Sequence, residues 1–450
     1  MKKFKKIFAV LLTLAMVLGM SMTSFAAATD KGSITISGLA AGETTTLNMY
    51  QFISLSESGN EWVVADWAKG CVTIADGKYS IDESALKEAV SGTPKTVEVT
   101  GTEYTYSEVA IGAYLILASG DKATYTPMIA DVADYGTDGL ITAKDVTITA
   151  KTSGYVTTKK ADDDFIARGQ KVTFTITTTF PSFANPASQD NSFKIIDKPT
   201  GLDITGVKSI LVGGETLTTN DYVAGYDKED TSEYVINLTS RIGNANANAG
   251  KTVVVEYEAT VTADGGYQNS ANAYRNDTKL GENDVTVKGF TGSITVRKIE
   301  QGNPNNVLKG AEFTVTKKGE TAEKDETLYF VLIKAGEYKL ASESETGASQ
   351  TVVATDGTVK VKGLGDGTYH FTETKAPEGY SIAQNVLNDV EITADKKNVD
   401  LVDGLDYPNT KLSSLPSTGG IGTTIFTIGG CAIMIIAAAL FFASRRKSAK

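Results

Sequence analysis

Three short runs near the C-terminal end of the chain each carry a polar residue in step with apolar ones. Ile294, Val296 and Lys298 share one parity, as do Tyr369, Phe371 and Glu373, and Leu405, Tyr407 and Asn409. Strand side chains alternate between faces, so a β reading sends a lysine, a glutamate and an asparagine into one apolar core. Burying two opposite charges costs several kcal/mol per ion, roughly. Desolvation lowers the amine's proton affinity and raises that of the acid, and a proton passed from Lys298 to Glu373 removes both charges. The neutral amine is then a nucleophile beside a carboxamide. The acid can polarise that carboxamide and relay protons. Folding itself holds the reactants together. The chemistry this predicts is a Lys298–Asn409 amide formed with loss of one ammonia.

A second constellation lies upstream with aspartate as the acid. Phe193, Ile195 and Asp197 share a face, and so do Asn269, Ala271 and Ala273. The opening run, Gly154 to Asp164, offers Lys159 or Lys160. Parity does not separate these, because Tyr155 and Ala161 accompany one and Val156 the other. Asn272 is the alternative amide. Glu258 alternates away from the Val253/Tyr257 face and is expected in solvent.

The elements that must position these groups are short runs rich in Thr, Val, Ile and Tyr, broken by Gly, Asn and Asp. That is the pattern of antiparallel β-sandwiches. Val172, Phe174 and Ile176 share a face in one run. Val253, Val255, Tyr257, Ala259 and Val261 share a face in another. One helix is expected, over Ile81–Val90. The pattern restarts twice, which predicts three tandem immunoglobulin-like sandwiches at 29–150, 151–290 and 291–411. Gly292-Ser-Ile-Thr-Val echoes Gly32-Ser-Ile-Thr-Ile, and Gly367-Thr-Tyr-His-Phe echoes Gly112-Ala-Tyr-Leu-Ile, in keeping with a repeated unit. In the first domain the second echo sets Ala118 where Glu373 stands. Lys31 lies close to the start of that domain, so no bond is expected there.

The two ends read as addresses. Lys2, Lys3, Lys5 and Lys6 precede the apolar run Ile7–Met20, and small residues follow. This is the layout of a secretory signal peptide over 1–28, cleaved between Ala26 and Ala28. At the other end, Ile421–Ala443 is long and apolar enough to span a bilayer, and Arg445, Arg446, Lys447 and Lys450 would hold its end in the cytoplasm. Removing the eight basic residues of the two ends takes 43 basic residues to 35 against 54 acidic ones, a charge of −19 for the body. Such a body repels anionic surfaces and argues against nucleic acid as a partner. With one histidine and two cysteines, Cys71 and Cys431, the chain is a poor candidate for a disulfide scaffold, a zinc cluster or a Ser-His-Asp catalyst. No cofactor or metal is expected.

Leu415-Pro416-Ser417-Thr418-Gly419, directly before the apolar span, resembles the LPxTG sorting signal of Gram-positive surface proteins. The resemblance implies that a sortase cysteine attacks the Thr418 carbonyl and releases the segment from Gly419 onward. Lys298-Ile-Glu with Leu308–Phe313 resembles the opening of a Cna-B-type domain. Thr372–Tyr380 resembles its E-box, and Pro408-Asn-Thr its closing strand. On that match the nucleophile, acid and amide fall on Lys298, Glu373 and Asn409. The stretch around Asp197 and the Asn-x-Ala run resemble the middle domains of backbone pilins, and this favours Lys159, Asp197 and Asn269. Asp145–Thr152 partly resembles the pilin motif, with Thr149-Ala150 in place of Tyr-Pro and Thr152 in place of Asn. This makes Lys151 the expected amine for intersubunit linkage, with Lys144 and Lys159 as competitors.

Over its whole length the chain resembles a sortase-assembled backbone pilin, the repeating subunit of a covalent pilus. The implied partners are other copies of itself, pilus-specific and housekeeping sortases, peptidoglycan, minor tip and base pilins, and a host receptor. The implied location is the cell wall, outside the membrane. A monomeric wall-anchored adhesin or minor pilin is the alternative and would lack the Lys151 linkage. An enzyme acting on external substrates would need a surface catalytic cluster, for which the sequence offers no candidate. His370 is expected at the surface beside the E-box. The sites Asn237-Leu-Thr and Asn276-Asp-Thr match a glycosylation pattern in an improbable context. Asp162–Asp164 lacks the glycine and terminal glutamate of a calcium loop.

Overall fold

The structure is a computed structural model that describes residues 30–56, 61–75, 78–136, 141–243, 246–382, 389–399, 405–412 and 421–447. The expected leader and the pentapeptide Leu415–Gly419, including Thr418, lie outside the described residues. What is described is β-sheet apart from short helical turns, one small helix and one long C-terminal helix.

The N-terminal unit sets a three-stranded sheet (Val146–Thr149, Lys31–Ser37, Glu103–Ala110) against a larger sheet built around Thr45–Leu55 and Gly112–Ser119. Ile34, Ile36, Leu47, Tyr106 and Ile116 fill the space between them. The strand Gly112–Ser119 is buried along nearly its whole length because a second apolar layer, with Phe52, Trp62, Leu86 and Leu115, covers its other face. That layer includes the helix Glu83–Ala89, inside the expected Ile81–Val90. Asp82 caps it by accepting from the Ala85 N–H at 3.0 Å. Past Lys151, residues Thr152–Gly154 pair with Ala123–Tyr125, so the chain crosses to the larger sheet before leaving this unit.

The middle sandwich faces one sheet, in the order Thr158–Ala161, Lys171–Thr179, Thr252–Val261, Leu202–Val212, Glu215–Thr216, against another. The second runs Val223–Tyr226, Tyr234–Asn237, Phe193–Thr200, Tyr267–Arg275, Thr278–Gly289. Lys171–Thr179 and Thr252–Val261 alternate strictly between buried and solvent-facing positions, as their period-2 sequences require. In the C-terminal sandwich the first strand, Gly292–Glu300, is paired in parallel with the last, Asp406–Asn409, with Lys298 opposite Tyr407 and Glu300 opposite Asn409. Glu312–Lys317 and Gly367–Lys375 lead the opposing sheet.

The middle and C-terminal sandwiches are joined by more than a linker. Phe165 leaves the middle unit and packs into the C-terminal core, while its neighbour Ile166 stays in the middle core. Phe290 donates to the Asp164 carbonyl at 2.7 Å and accepts from the Ile166 N–H at 3.1 Å. Arg168 reaches across to Glu345 through two hydrogen bonds, 2.8 and 3.1 Å, and to the Leu340 carbonyl at 2.7 Å.

The C-terminal helix runs Ile421–Lys447, and Phe426–Ser444 is long and apolar enough to cross a membrane. Cys431 lies in that stretch, and Cys71 is buried in the N-terminal unit.

Candidate functional site

The two constellations read from parity lie inside the two sandwiches. In the C-terminal one, Lys298 and Asn409 are 0% exposed and Glu373 is 5% exposed. Lys298 and Asn409 sit on neighbouring strands of one sheet, and Glu373 reaches them from the other sheet. The backbone around Lys298 is held on both sides: its N–H donates to the Gly357 carbonyl at 2.8 Å, and its carbonyl accepts from Leu308 at 2.9 Å. Gly357 has a φ of +93°, and a Cβ there would meet Val307 at 2.0 Å, so only glycine fits this turn.

The Lys298 ammonium nitrogen is 3.1 Å from Glu373 Oε1 and hydrogen-bonds the Asn409 carboxamide oxygen. Asn409 Nδ2 donates to the same Glu373 oxygen at 2.9 Å. One carboxylate oxygen therefore touches both the amine and the amide nitrogen. Tyr407 and Phe313 line the amine, with ring centroids 4.4 and 5.9 Å from Nζ. Burial pushes Lys298 down to about 8, against the opposing pull of Glu373. Outside the core, Arg297 grips Asp406 with two bonds of 2.8 Å, which fixes the last strand to the first.

In the middle sandwich, Lys159 lies opposite Ile176, on the inward face of its neighbour strand, while Lys160 lies opposite Thr175 and is exposed. The Lys159 and Asp197 side chains are both 0% exposed and meet at 2.5 Å. Asp197 and Asn269 belong to the sheet opposite Lys159. Burial pushes Lys159 down to about 8, against Asp197, and pushes the Asp197 carboxyl up. Phe174 and Tyr257 flank the amine, with centroids at 5.3 and 5.6 Å.

Asn272, the alternative amide, is also buried, but a register shift between Ala271 and Ala273 turns it toward the last strand. There its amide nitrogen donates to the Asn283 carbonyl at 3.1 Å. It does not join the Lys159 cluster. Asn269 lies on the next-to-last strand of this sandwich, with Thr278–Gly289 following it. Sequence reasoning missed Tyr257 as a polar member of this site. Its inward parity was legible, and it was counted only as packing. Its hydroxyl donates to Asp197 Oδ2 and accepts from Asn269 Nδ2 at 3.0 Å.

The remaining site residues fall elsewhere. Lys151 is exposed where the chain passes from one sheet of the N-terminal unit to the other, and Lys144 is half-buried. Ala118 is buried opposite Leu47, and Lys31 is exposed. Glu258 faces outward and pairs with Lys171 at 3.0 Å. His370 is half-exposed, 2.8 Å from Asp389. Among the described residues no cluster of His, Cys, Asp and Glu could hold a metal ion. The C-terminal arrangement holds a proton-poor amine against a carboxamide beside an acid, out of water, and the middle one holds a proton-poor amine against an acid that is joined to the carboxamide through the Tyr257 hydroxyl.

Residues 292–404 match the SpaA prealbumin-like fold domain, and residues 407–450 match the LPXTG cell wall anchor motif. The chain is similar to the trypsin-resistant surface T6 protein of Streptococcus pyogenes, 23% identical over 96% of this chain and 98% of that one. It is also similar to the fimbrial subunit type 1 of Actinomyces viscosus, 23% identical over 84% and 81%. Among solved structures it resembles the full-length major pilin SpaD of Corynebacterium diphtheriae, at 20% identity with a TM-score of 0.44 over 85% of this chain and 98% of that one. It likewise resembles the T6 backbone pilin of Streptococcus pyogenes, at 16% identity with a TM-score of 0.45 over 85% and 99%. The chain is thus a cell-wall-anchored surface protein whose C-terminal third is a SpaA-type prealbumin-like domain followed by an LPXTG anchor.

Proposed function

We propose that this chain is the shaft subunit of a sortase-polymerised pilus, stiffened by two amide bonds that it forms within itself. Lys298 attacks the Asn409 carboxamide with Glu373 as the proton-handling acid, and Lys159 attacks Asn269 with Asp197 in that role. In each case the Lys nitrogen–carbon bond forms, the carbon–Nδ2 bond breaks, and ammonia leaves. Sortase activates Thr418 of one subunit, and Lys151 of the next resolves the acyl-enzyme. A head-to-tail contact of this kind does not close on itself and so grows a filament. The three expected domains, 29–150, 151–290 and 291–411, are its rigid segments, with the first extended to the crossing strand Thr152–Gly154. The protein turns over no external substrate in this reading. It is itself the substrate of a sortase and the acceptor of the next subunit.

The observation that carries the reading is the recurrence of one buried lysine–acid–asparagine cluster in two consecutive sandwiches upstream of a wall anchor. The two relatives named above, a trypsin-resistant surface protein and a fimbrial subunit, agree with it. Two measurements on wall material test it. Digestion after denaturation should release branched peptides joining Lys298 to Asn409 and Lys159 to Asn269. Lys151→Ala should abolish the ladder of high-mass species while leaving both branches in place. Branches without a ladder in the parent chain would make it a monomeric wall-anchored adhesin. A ladder without branches would sink the self-bonding chemistry.

A further inference from the structure

The two buried clusters are not copies of each other. In the C-terminal one, Glu373 Oε1 alone reaches both the amine, at 3.1 Å, and the amide nitrogen that must leave, at 2.9 Å. In the middle one the acid is an aspartate, one methylene shorter, about 1.5 Å less reach. Its Oδ2 takes the amine at 2.5 Å and also accepts from the Tyr257 hydroxyl. That hydroxyl in turn accepts from Asn269 Nδ2 at 3.0 Å. Asp197 Oδ1 and Asn269 Oδ1 have no hydrogen-bond partner among the described residues.

We propose that Tyr257 is a catalytic residue of the middle-domain reaction, its hydroxyl carrying the proton from Asp197 to the departing nitrogen of Asn269 along the hydrogen bonds it makes to both. The inference rests on the bond-forming reading above. Lys159 hands a proton to Asp197 and adds as a neutral amine to the Asn269 carboxamide carbon. As that carbon becomes tetrahedral, Nδ2 turns basic. Tyr257 gives Nδ2 its hydroxyl proton and takes one back from the Asp197 carboxyl, so the phenol ends as it began. Collapse breaks the carbon–Nδ2 bond and ammonia leaves; of the three protons of the Lys159 ammonium, one has gone to ammonia, one passes to the Asp197 carboxylate as the new bond loses its charge, and one remains on the new amide. No other reactant is consumed.

The surroundings suit a shuttle. Tyr257 is 0% exposed, on the strand Thr252–Val261, stacked on Phe174 with centroids 5.5 Å apart, so its ring has one position. Burial and the neighbouring Asp197 push its phenol up, so it stays protonated and available as a donor. A hydroxyl within one hydrogen bond of both acid and leaving group is the geometry that general acid catalysis needs.

The test uses the full chain in its own cell, pulse-labelled and followed by peptide mapping, with the Lys298–Asn409 branch as an internal clock. In Tyr257→Phe the C-terminal branch should appear at the parental rate, and the Lys159–Asn269 branch about 10²-fold more slowly. Asp197→Glu combined with Tyr257→Phe should restore it, because a glutamate reaches both nitrogens directly, as Glu373 does. A middle-domain branch that forms at the parental rate in Tyr257→Phe overturns the proposal. So does a double variant that completes its C-terminal branch and resists trypsin but stays unbranched in the middle. Absence of both branches from the parent chain would instead overturn the bond-forming reading itself.

Discussion

Replacing Glu373 by glutamine changes one atom of the C-terminal cluster and removes its only carboxylate. The glutamine fills the same space and still meets the Asn409 amide, but it accepts no proton from Lys298. The bond should not form, and Lys298 and Asn409 remain as separate side chains 111 residues apart in sequence. A covalent tie across a loop of that length removes chain entropy from the unfolded state. By analogy with a disulfide closing a loop of about 100 residues, it is worth about 5 kcal/mol. For a domain of this size each kcal/mol moves the midpoint by roughly 4 °C, so the C-terminal transition should fall by about 20 °C. The variant also leaves the free Lys298 amine buried with no carboxylate beside it, which adds to this rather than offsetting it. Calorimetry of the whole chain resolves the effect if the middle and N-terminal transitions hold still, and peptide mapping of the same sample reports the branch. A branch present at the parental level in Glu373→Gln would refute the role of the acid. A branch that is absent while the midpoint stays within about 5 °C would refute the loop-closure argument.

Three further outcomes follow from the same geometry. Lys159→Ala should remove one branch and Lys160→Ala neither, read by the mass deficit of the chain, since only Lys159 lies within the buried cluster. Under tension from its ends, the parent C-terminal domain should hide the chain between Lys298 and Asn409, whereas Glu373→Gln should release about 370–400 Å of it, as single-molecule force spectroscopy would record. Bond formation in the middle domain should follow a bell in pH, because the Lys159–Asp197 pair holds one shared proton. Lys159, pushed down to about 8, loses that proton above pH 8 and leaves no acid, while at low pH the raised Asp197 carboxyl and its lysine are both protonated and no free amine exists. A cell-free synthesised chain transferred to buffers of different pH tests this, and a rate that keeps climbing beyond pH 9 would contradict it.

The C-terminal cluster was legible in the sequence because its three strands are regular near the polar residues: Lys298, Glu373 and Asn409 each sit two positions from a buried aromatic or aliphatic neighbour. The middle cluster was legible in part. Lys159 and Lys160 lie on a four-residue edge strand, too short for a period to declare its face, and the register against Ile176 and Thr175 separates them. Asn269 and Asn272 are both buried because the irregular pairing after Ala271 covers the outward face as well, which alternation does not foresee. Tyr257 sat on the inward face as expected, but its hydroxyl acquires meaning only from a partner on the other sheet, and contacts between sheets leave no local period. The segment around Phe165 was invisible for the same reason: its anchor belongs to the next unit.

That segment has a mechanical consequence. Phe165 and Arg168 lie within the stretch that the Lys159–Asn269 bond would enclose, so a pull transmitted along the shaft would run past them. The hinge toward the following unit is therefore built from slack chain. Its aromatic plug and its arginine clasp would set the angle between neighbouring blocks without being asked to hold weight, and a stretched fibre would keep its bend preferences until the clasp itself was prised open.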